Sequence, residues 1–178
     1  SVNTAALLNI TSLNISFLTI SDLTGVEDML NLMSLDARNN NITSLPSFAT
    51  LPYLYNIYLQ HNNLSSVDLS SVTSLFRADL SNNQISQITL PDSSTYQYIQ
   101  VLDLENNILQ SISFPQTFRV QDLLLADNPL NSLDVSTLYD LRDLTIRNSN
   151  LQSLDLSNNN LLYDLYICLL YTSDAADE

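Results

Sequence analysis

The stretch Leu54-Tyr-Asn-Ile57-Tyr-Leu59-Gln-His-Asn62-Asn-Leu64 decides the fold, because its spacing recurs along the whole chain. Equivalent stretches follow one another at steps of 21 to 24 residues. They begin at Leu32, Leu54, Leu75, Ile99, Val120, Leu141 and Leu162, and a weaker copy begins at Ile10. A fixed period of this length is typical of solenoids, in which each repeat packs only against its neighbours.

The fourth and sixth positions of each repeat are apolar and are separated by one residue, as in Ile57 and Leu59 or in Leu102 and Leu104. Because side chains alternate across a strand, both members of such a pair lie on one face. A single strand cannot bury this face, whereas parallel strands stacked about 4.8 Å apart bury a continuous core. The sequence therefore predicts a parallel sheet with one buried and one open face.

The ninth position of most repeats is asparagine, at the point where the chain leaves the strand and turns inward. An amide side chain both donates to and accepts from backbone groups freed by such a turn. We therefore predict a structural ladder of Asn40, Asn62, Asn83, Asn107 and Asn128. The sixth full repeat has Ser149 instead, and we expect a weaker ladder there because a hydroxyl reaches less far.

The return path of each repeat carries a second apolar pair with the same alternation, such as Val67 and Leu69 or Leu133 and Val135. Pairs this short, surrounded by Ser and Asp, bury too little surface for amphipathic helices. They predict extended convex segments, and hence a β-rich solenoid with little helix.

The repeat resembles the leucine-rich repeat family, and the resemblance covers Ile10 to Ile167. Segments such as Ser153-Leu-Asp-Leu-Ser157 are similar to repeats of bacterial and protist surface proteins, and the stretch from Leu13 to Val26 is similar to the first repeat of internalin-like proteins. The resemblance implies a parallel sheet on a concave face and a non-catalytic module that binds a protein partner there. It also implies an extracellular or cell-surface parent protein, with a cytoplasmic location as the alternative. Three other roles stay open: the ectodomain of a receptor-like kinase, an intracellular regulatory subunit docking on a phosphatase or GTPase, and a structural spacer.

The two ends differ from the repeats. We interpret residues 1–31 as a degenerate first repeat with the remnant of an N-terminal cap, and residues 32–167 as six full repeats and one truncated repeat. Residues 168–178, from Cys168 to Glu178, resemble a translated sequencing adapter, and we exclude them from fold reasoning. Without the three acids of this tail, the formal net charge of −14 becomes about −11.

Outward positions two, three, five, seven and eight of each repeat are expected to line the concave face. In the N-terminal half they carry Tyr55, Tyr58, His61, Phe76, Arg77 and Asp79. Exposed aromatic side chains beside an arginine are typical of protein-binding hot spots. Tyrosine also favours strands for packing reasons alone, so a purely structural explanation stays open.

In the C-terminal half the same positions carry Asp103, Glu105, Asp122, Asp143 and Asp164. Such columns of carboxylates suit a cationic partner, or a weak calcium site. The alternative is a solvated face that keeps a lysine-free protein soluble, and the acidity of the whole chain favours this alternative.

Acceptor triplets for N-glycosylation occur at Asn9, Asn14, Asn41 and Asn63. A chain this rich in Asn, Ser and Thr produces about that many by chance. Asn41 and Asn63 occupy tenth positions, where we expect exposure and therefore room for a glycan, whereas Asn14 is expected on the concave face.

Catalytic chemistry has few candidate residues in this chain. His61 is the sole histidine and Gly25 the sole glycine, which argues against a catalytic triad in a pocket and against a phosphate-binding loop. We expect no enzyme activity, cofactor or metal in this fragment, although the parent protein can carry a separate catalytic domain. The acidic charge disfavours nucleic acid, no apolar run is long enough for a membrane span, and a capped form is expected to be a monomer.

Overall fold

The computed structural model describes residues 4–92 and 99–167. Our interpretation of residues 168–178 as adapter-derived lies outside the described residues and stays a prediction. A short helix, α1 (Thr4–Leu7), comes first, and a single turn of 3-10 helix follows at Val26–Asp28. The strands in chain order are β1 (Ser12–Asn14), β2 (Ser34–Asp36), β3 (Asn56–Tyr58), β4 (Ser66–Asp68), β5 (Arg77–Asp79), β6 (Gln87–Thr89), β7 (Ile99–Asp103), β8 (Val120–Leu124), β9 (Asp143–Ile146) and β10 (Asp164–Ile167).

Eight of these strands form one parallel sheet in the order β1-β2-β3-β5-β7-β8-β9-β10, with one strand from each repeat. Equivalent positions pair directly, so that Ile57 lies between Leu35 and Ala78. The predicted β-rich solenoid with a parallel sheet and little helix is confirmed.

The core lies between this sheet and the convex return path. In the six full repeats the fourth and sixth positions are completely buried, as at Leu35, Ile57 and Leu104, and Leu54 and Leu141 at the first position are buried equally. Each such side chain contributes about 1.5–3 kcal/mol through burial. The repeats therefore stabilise one another through a continuous apolar column.

The convex segments are extended, as the alternation predicts. Among the described residues only β4 and β6 pair there, with Val67 beside Ile88, and they form a separate two-stranded parallel sheet. Elsewhere the apolar pairs pack on the core without a described strand ladder, as Leu133 and Val135 do.

Aspartates close several convex corners. The carboxylate of Asp68 accepts a hydrogen bond from the backbone N–H of Ser70 at 2.9 Å, and Asp134 and Asp155 accept equivalent bonds from the residue two places on. The hydroxyl and N–H of Ser70 hold the pKa of Asp68 below its ordinary value. These aspartates therefore shape the turn as well as solvating it.

The eighth position of every repeat from the degenerate first one to the sixth full repeat has a left-handed backbone. The φ angles lie between 53° and 59° at Phe17, Asn39, His61, Asn82, Asn106, Asp127 and Asn148. Asn, Asp and His adopt this conformation more readily than other non-glycine residues. The paired asparagines at positions eight and nine thus have separate roles: the first permits the turn and the second stabilises it.

The concave face as candidate binding surface

The strand register aligns outward side chains into columns across the concave sheet. The third-position column places Arg77 beside Val101, and then Asp122, Asp143 and Asp164 on successive strands. In the fifth-position column Asp36, Tyr58, Asp79 and Asp103 follow one another. Residues 21 to 24 places apart in sequence therefore meet about 4.8 Å apart.

At the second position the columns form a shallow groove, which we call the aromatic groove. It encloses about 410 Å³ and is lined by Met33, Tyr53, Tyr55, Ser74 and Phe76. Tyr53 is 54% exposed, and Met33 and Tyr55 are each 39% exposed. The sequence identified Tyr55 and Phe76 but missed their partners. The signal for Met33 was its second position in the preceding repeat, whereas Tyr53 lies just before a repeat and outside the pattern.

His61 is exposed at the rim of the concave face and has a φ of 57°. Because its position requires a left-handed backbone, its side-chain type has a structural explanation independent of binding. Arg77 is exposed on β5, and no ion pair to it occurs within 4.0 Å among the described residues. The nearby Arg38, by contrast, forms an ion pair with Asp36 at 3.0 Å.

Two of the predicted acidic site residues also end their own strands. The carboxylate of Asp79 accepts from the backbone N–H of Ser81 at 3.2 Å and from its hydroxyl at 2.8 Å. The carboxylate of Asp103 accepts from the N–H of Glu105 at 3.0 Å. Asp36 makes a longer bond of the same kind to Arg38 at 3.4 Å. The fifth position thus has a local structural function that sequence analysis missed.

The concave carboxylates are partly desolvated. Burial, together with the negative charges of Asp79 and Glu105, raises the pKa of Asp103 to about 6, although the Glu105 N–H opposes the shift. Burial also raises the pKa of Asp122 and of Asp143 above the ordinary range. For Asp143 the neighbouring charges of Asp122 and Asp164 add to the shift. The surroundings of these three carboxylates therefore stabilise the charged form less well than water does.

One carboxylate oxygen of Asp143 is buried and has no hydrogen-bond partner among the described residues. Nearby positive charge is limited: Arg142 and Arg77 offset part of the shift at Asp122 but form no close ion pair with it. Within residues 4–92 and 99–167, no set of three His, Cys, Asp or Glu side chains is arranged to hold a metal ion.

The asparagine ladder lies behind the concave face. The Asn62 amide donates to the carbonyls of Leu59 in its own repeat and Ala37 in the preceding repeat, each at 3.0 Å. Its oxygen accepts from the N–H of Ile42, also at 3.0 Å. Asn40, Asn83, Asn107 and Asn128 repeat this scheme.

The ladder is interrupted at Ser149. This side chain is buried, and its hydroxyl accepts only a 3.5 Å bond from Leu151 among the described residues. In the other repeats the ladder asparagine accepts a hydrogen bond from an N–H of the preceding repeat, as Asn128 does from Leu109. The equivalent N–H here belongs to Leu130, and it donates to the carbonyl of Asn128 in its own repeat. The sixth full repeat consequently lacks the buried ninth-position link, although the exposed amide of Asn148 donates to Asp127 of the preceding repeat at 2.6 Å.

The Leucine Rich Repeat family model matches residues 31–51 and 150–170. The chain is 36% identical over 83 residues to the human leucine-rich repeats and immunoglobulin-like domains protein 1, covering 43% of this chain and 8% of that protein. It is 32% identical over 122 residues to human oligodendrocyte-myelin glycoprotein, covering 65% of this chain and 27% of that protein. Among solved structures, a leucine-rich repeat protein of Leptospira interrogans matches with 17% identity and a TM-score of 0.48, over 92% of this chain and 56% of that one.

The repeated motif, the parallel solenoid and the family-model matches agree in supporting a leucine-rich repeat family for this chain. It is a repeat module of the class that binds protein partners. The chain spans about a quarter or less of the length of the curated relatives described above. Within the part of the chain that the structure describes, no helix has the length and apolar character needed to cross a membrane.

Proposed function

We propose that this chain is a non-catalytic module that binds a protein partner on its concave face, within a larger surface or secreted protein. One observation carries the proposal: the eight-stranded sheet presents aromatic and charged side chains in adjacent columns on one open face. Tyr58, Phe76 and Arg77 lie together in this array, with Asp79 completing the cluster. Aromatic and arginine side chains supply much of the binding energy in protein interfaces.

The fold supports recognition because it fixes the backbone behind this face. The alternate side chains of the same strands, such as Ile57 and Leu102, are completely buried in the core. A face held in this way loses little conformational entropy on binding, which favours affinity. His61, Asp103, Glu105, Asp122, Asp143 and Asp164 extend the proposed surface along the sheet.

A surface or secreted location is supported by the relatives, one of which is named as a glycoprotein. Asn41 and Asn63 are exposed at equivalent positions of consecutive repeats, and both lie in acceptor triplets. Asn14, in β1, is also exposed, but its side-chain oxygen accepts bonds from the N–H and hydroxyl of Ser16. We infer that Asn41 and Asn63 are the two positions best placed to carry glycans.

The decisive experiment compares the two faces of the solenoid. A photoreactive benzoylphenylalanine replaces Tyr58 on the concave face or Asp134 on the convex face of the full chain. Each protein is then irradiated with membrane, soluble and secreted fractions of the source organism. We expect a defined protein adduct from the Tyr58 position alone, and adduct formation in the membrane or secreted fraction supports the proposed location.

The partner identified in this way is then purified and tested against variants of the full chain. Tyr58→Ala and Arg77→Ala are expected to weaken its binding about tenfold or more, in the range of interface hot spots. Asp134→Ala serves as the convex control. Equal adducts from both faces, or a binding affinity that Tyr58→Ala and Arg77→Ala leave unchanged, would instead support a spacer whose concave face binds nothing.

A further inference from the structure

The aromatic groove is an apolar stretch in the N-terminal half of the concave face. Met33, Tyr55 and Phe76 are consecutive members of the second-position column, because the N–H of Tyr55 donates to the carbonyl of Met33 and that of Phe76 to the carbonyl of Tyr55. The next member of the column is Gln100, whose N–H donates to Phe76, so the apolar stretch ends there. No ring of Tyr53, Tyr55 or Phe76 stacks on another aromatic ring among the described residues.

Beside the groove the charge of Asp36 is paired with Arg38, and unpaired negative charge begins where the groove ends. Asp79 and Asp103 of the fifth-position column, and Asp122, Asp143 and Asp164 of the third-position column, form what we call the acidic columns. They occupy the strands from β5 to β10, one to five strands beyond Tyr55. Arg77 and Arg142 lie among them and offset part of this charge.

We propose that the partner is a basic polypeptide segment, which places one large apolar side chain in the aromatic groove and its lysines or arginines over the acidic columns. This inference rests on the proposed concave-face binding and adds the chemistry of the ligand. Cations there would neutralise closely spaced carboxylates, and one of them would give the buried oxygen of Asp143 the hydrogen-bond donor that it lacks.

The spacing of the two features sets the length of the segment. Strands about 4.8 Å apart place Asp122 and Asp143 roughly 10–20 Å from the groove. An extended chain advances about 3.3 Å per residue, so the basic side chains should follow or precede the apolar anchor by about three to six residues. A segment of roughly ten residues is sufficient to span both features.

Other occupants fit the surface less well. A formal net charge of −14 disfavours phosphate-rich nucleic acid and anionic membrane surfaces. An uncharged apolar peptide would fill the groove yet leave the acidic columns uncompensated. Charge complementarity therefore selects a cationic polypeptide as the occupant.

The test is a selection of random 16-residue peptides, displayed on phage, against the immobilised full chain. We expect the enriched peptides to combine an aromatic or large aliphatic residue with at least two Lys or Arg, three to six residues away. Binding of the best synthetic peptide should weaken about tenfold when NaCl rises from 50 to 300 mM, because the charges are screened.

Two sets of variants with equal charge separate local recognition from general attraction. Asp122→Asn, Asp143→Asn and Asp164→Asn together should weaken the peptide about tenfold and flatten its salt dependence. The convex set Asp68→Asn, Asp134→Asn and Asp155→Asn removes the same charge and should have little effect.

The groove is tested with Tyr55→Ala and Phe76→Ala, which should also weaken the peptide about tenfold. The exposed Ile108→Ser, outside the groove, is the control. Peptides without basic residues, the absence of any enrichment, or equal effects of the two acidic sets would overturn the inference. If a concave-face adduct forms at the Tyr58 position in that case, the proposed function stands and only the ligand chemistry is wrong.

Discussion

At the residue scale, one asparagine side chain hydrogen-bonds to several backbone groups at once. The Asn62 side chain satisfies two carbonyls and one N–H in the buried turn, whereas its neighbour Asn63 is exposed. Asn62→Ala leaves the N–H of Ile42 unpaired, whereas the carbonyls of Leu59 and Ala37 each keep a bond from a neighbouring asparagine. We expect it to lower the free energy of unfolding by about 2 kcal/mol in urea denaturation. Asn63→Ala should change it by less than about 0.5 kcal/mol. Equal effects would show that the ladder hydrogen bonds contribute nothing measurable.

Asp103 is a second residue with a measurable signature. Its folded pKa of about 6 exceeds the ordinary value of 3.8, so the folded state binds the proton more tightly than the unfolded state. Stability should therefore fall as the pH rises from 4 to 6, and stay lower above that. Asp103→Asn keeps an oxygen for the Glu105 N–H and removes the charge.

In urea denaturation at pH 8 we expect the free energy of unfolding of Asp103→Asn to exceed that of the wild type by about 1–2 kcal/mol, after allowance for solvent screening. At pH 4 the two proteins should be equally stable. The control is Asp68→Asn, because the Ser70 hydroxyl and N–H lower the pKa of Asp68 and reverse the sign. A constant difference between Asp103→Asn and wild type across this pH range would contradict the explanation.

At the scale of the element, the turn after each strand depends on a left-handed residue. Phe17 occupies this position in the first repeat with a φ of 59°, and its side chain is 69% exposed. Asparagine tolerates this backbone better than phenylalanine or alanine does. Phe17→Asn should therefore be about 1 kcal/mol more stable than Phe17→Ala in thermal unfolding followed by circular dichroism. If the two variants are equally stable, the conformation of this turn does not limit stability.

The strands could be predicted from sequence because the alternation of Ile57 and Leu59 recurs at one spacing, and each copy reinforces the interpretation. The turns were harder. Nothing in a single repeat shows that the His61 position needs a left-handed backbone, and an imidazole there looks functional until the same angle is found at Asn39 and Asn82. The aspartate bonds of Asp79 and Asp103 were missed for a similar reason, because a carboxylate that stabilises its own turn looks like one that awaits a ligand.

The candidate site could be predicted only in part. Column membership followed from the repeat, and so the neighbours of Tyr55 and Asp143 were accessible to sequence reasoning. The exposure of Tyr53 was not, because it depends on how the chain enters the strand. The partial burial of Asp103 was equally inaccessible, since burial depends on the packed structure and the repeat pattern gives only the column.

At the scale of the whole molecule, like charges repel along the sheet. Asp122, Asp143 and Asp164 occupy successive strands in a chain of formal charge −14. Raising NaCl from 20 to 300 mM should therefore increase the melting temperature by about 2–4 °C through screening. Replacing all three by Asn should reduce this gain more than the convex set of Asp68, Asp134 and Asp155 does, as measured by calorimetry. A melting temperature that falls with NaCl would contradict this prediction.

The direction of the ladder has a consequence for how such a chain grows. Each amide binds its own repeat and the preceding one, as Asn107 does through Leu104, Leu80 and Ile85. A tandem duplication of one repeat in the gene therefore inserts a unit that already carries the group its predecessor needs. Asparagine-bearing repeats can thus be copied without a compensating change elsewhere. Every copy of the repeat that contains Ser149 would instead lack the asparagine that bonds to the repeat before it.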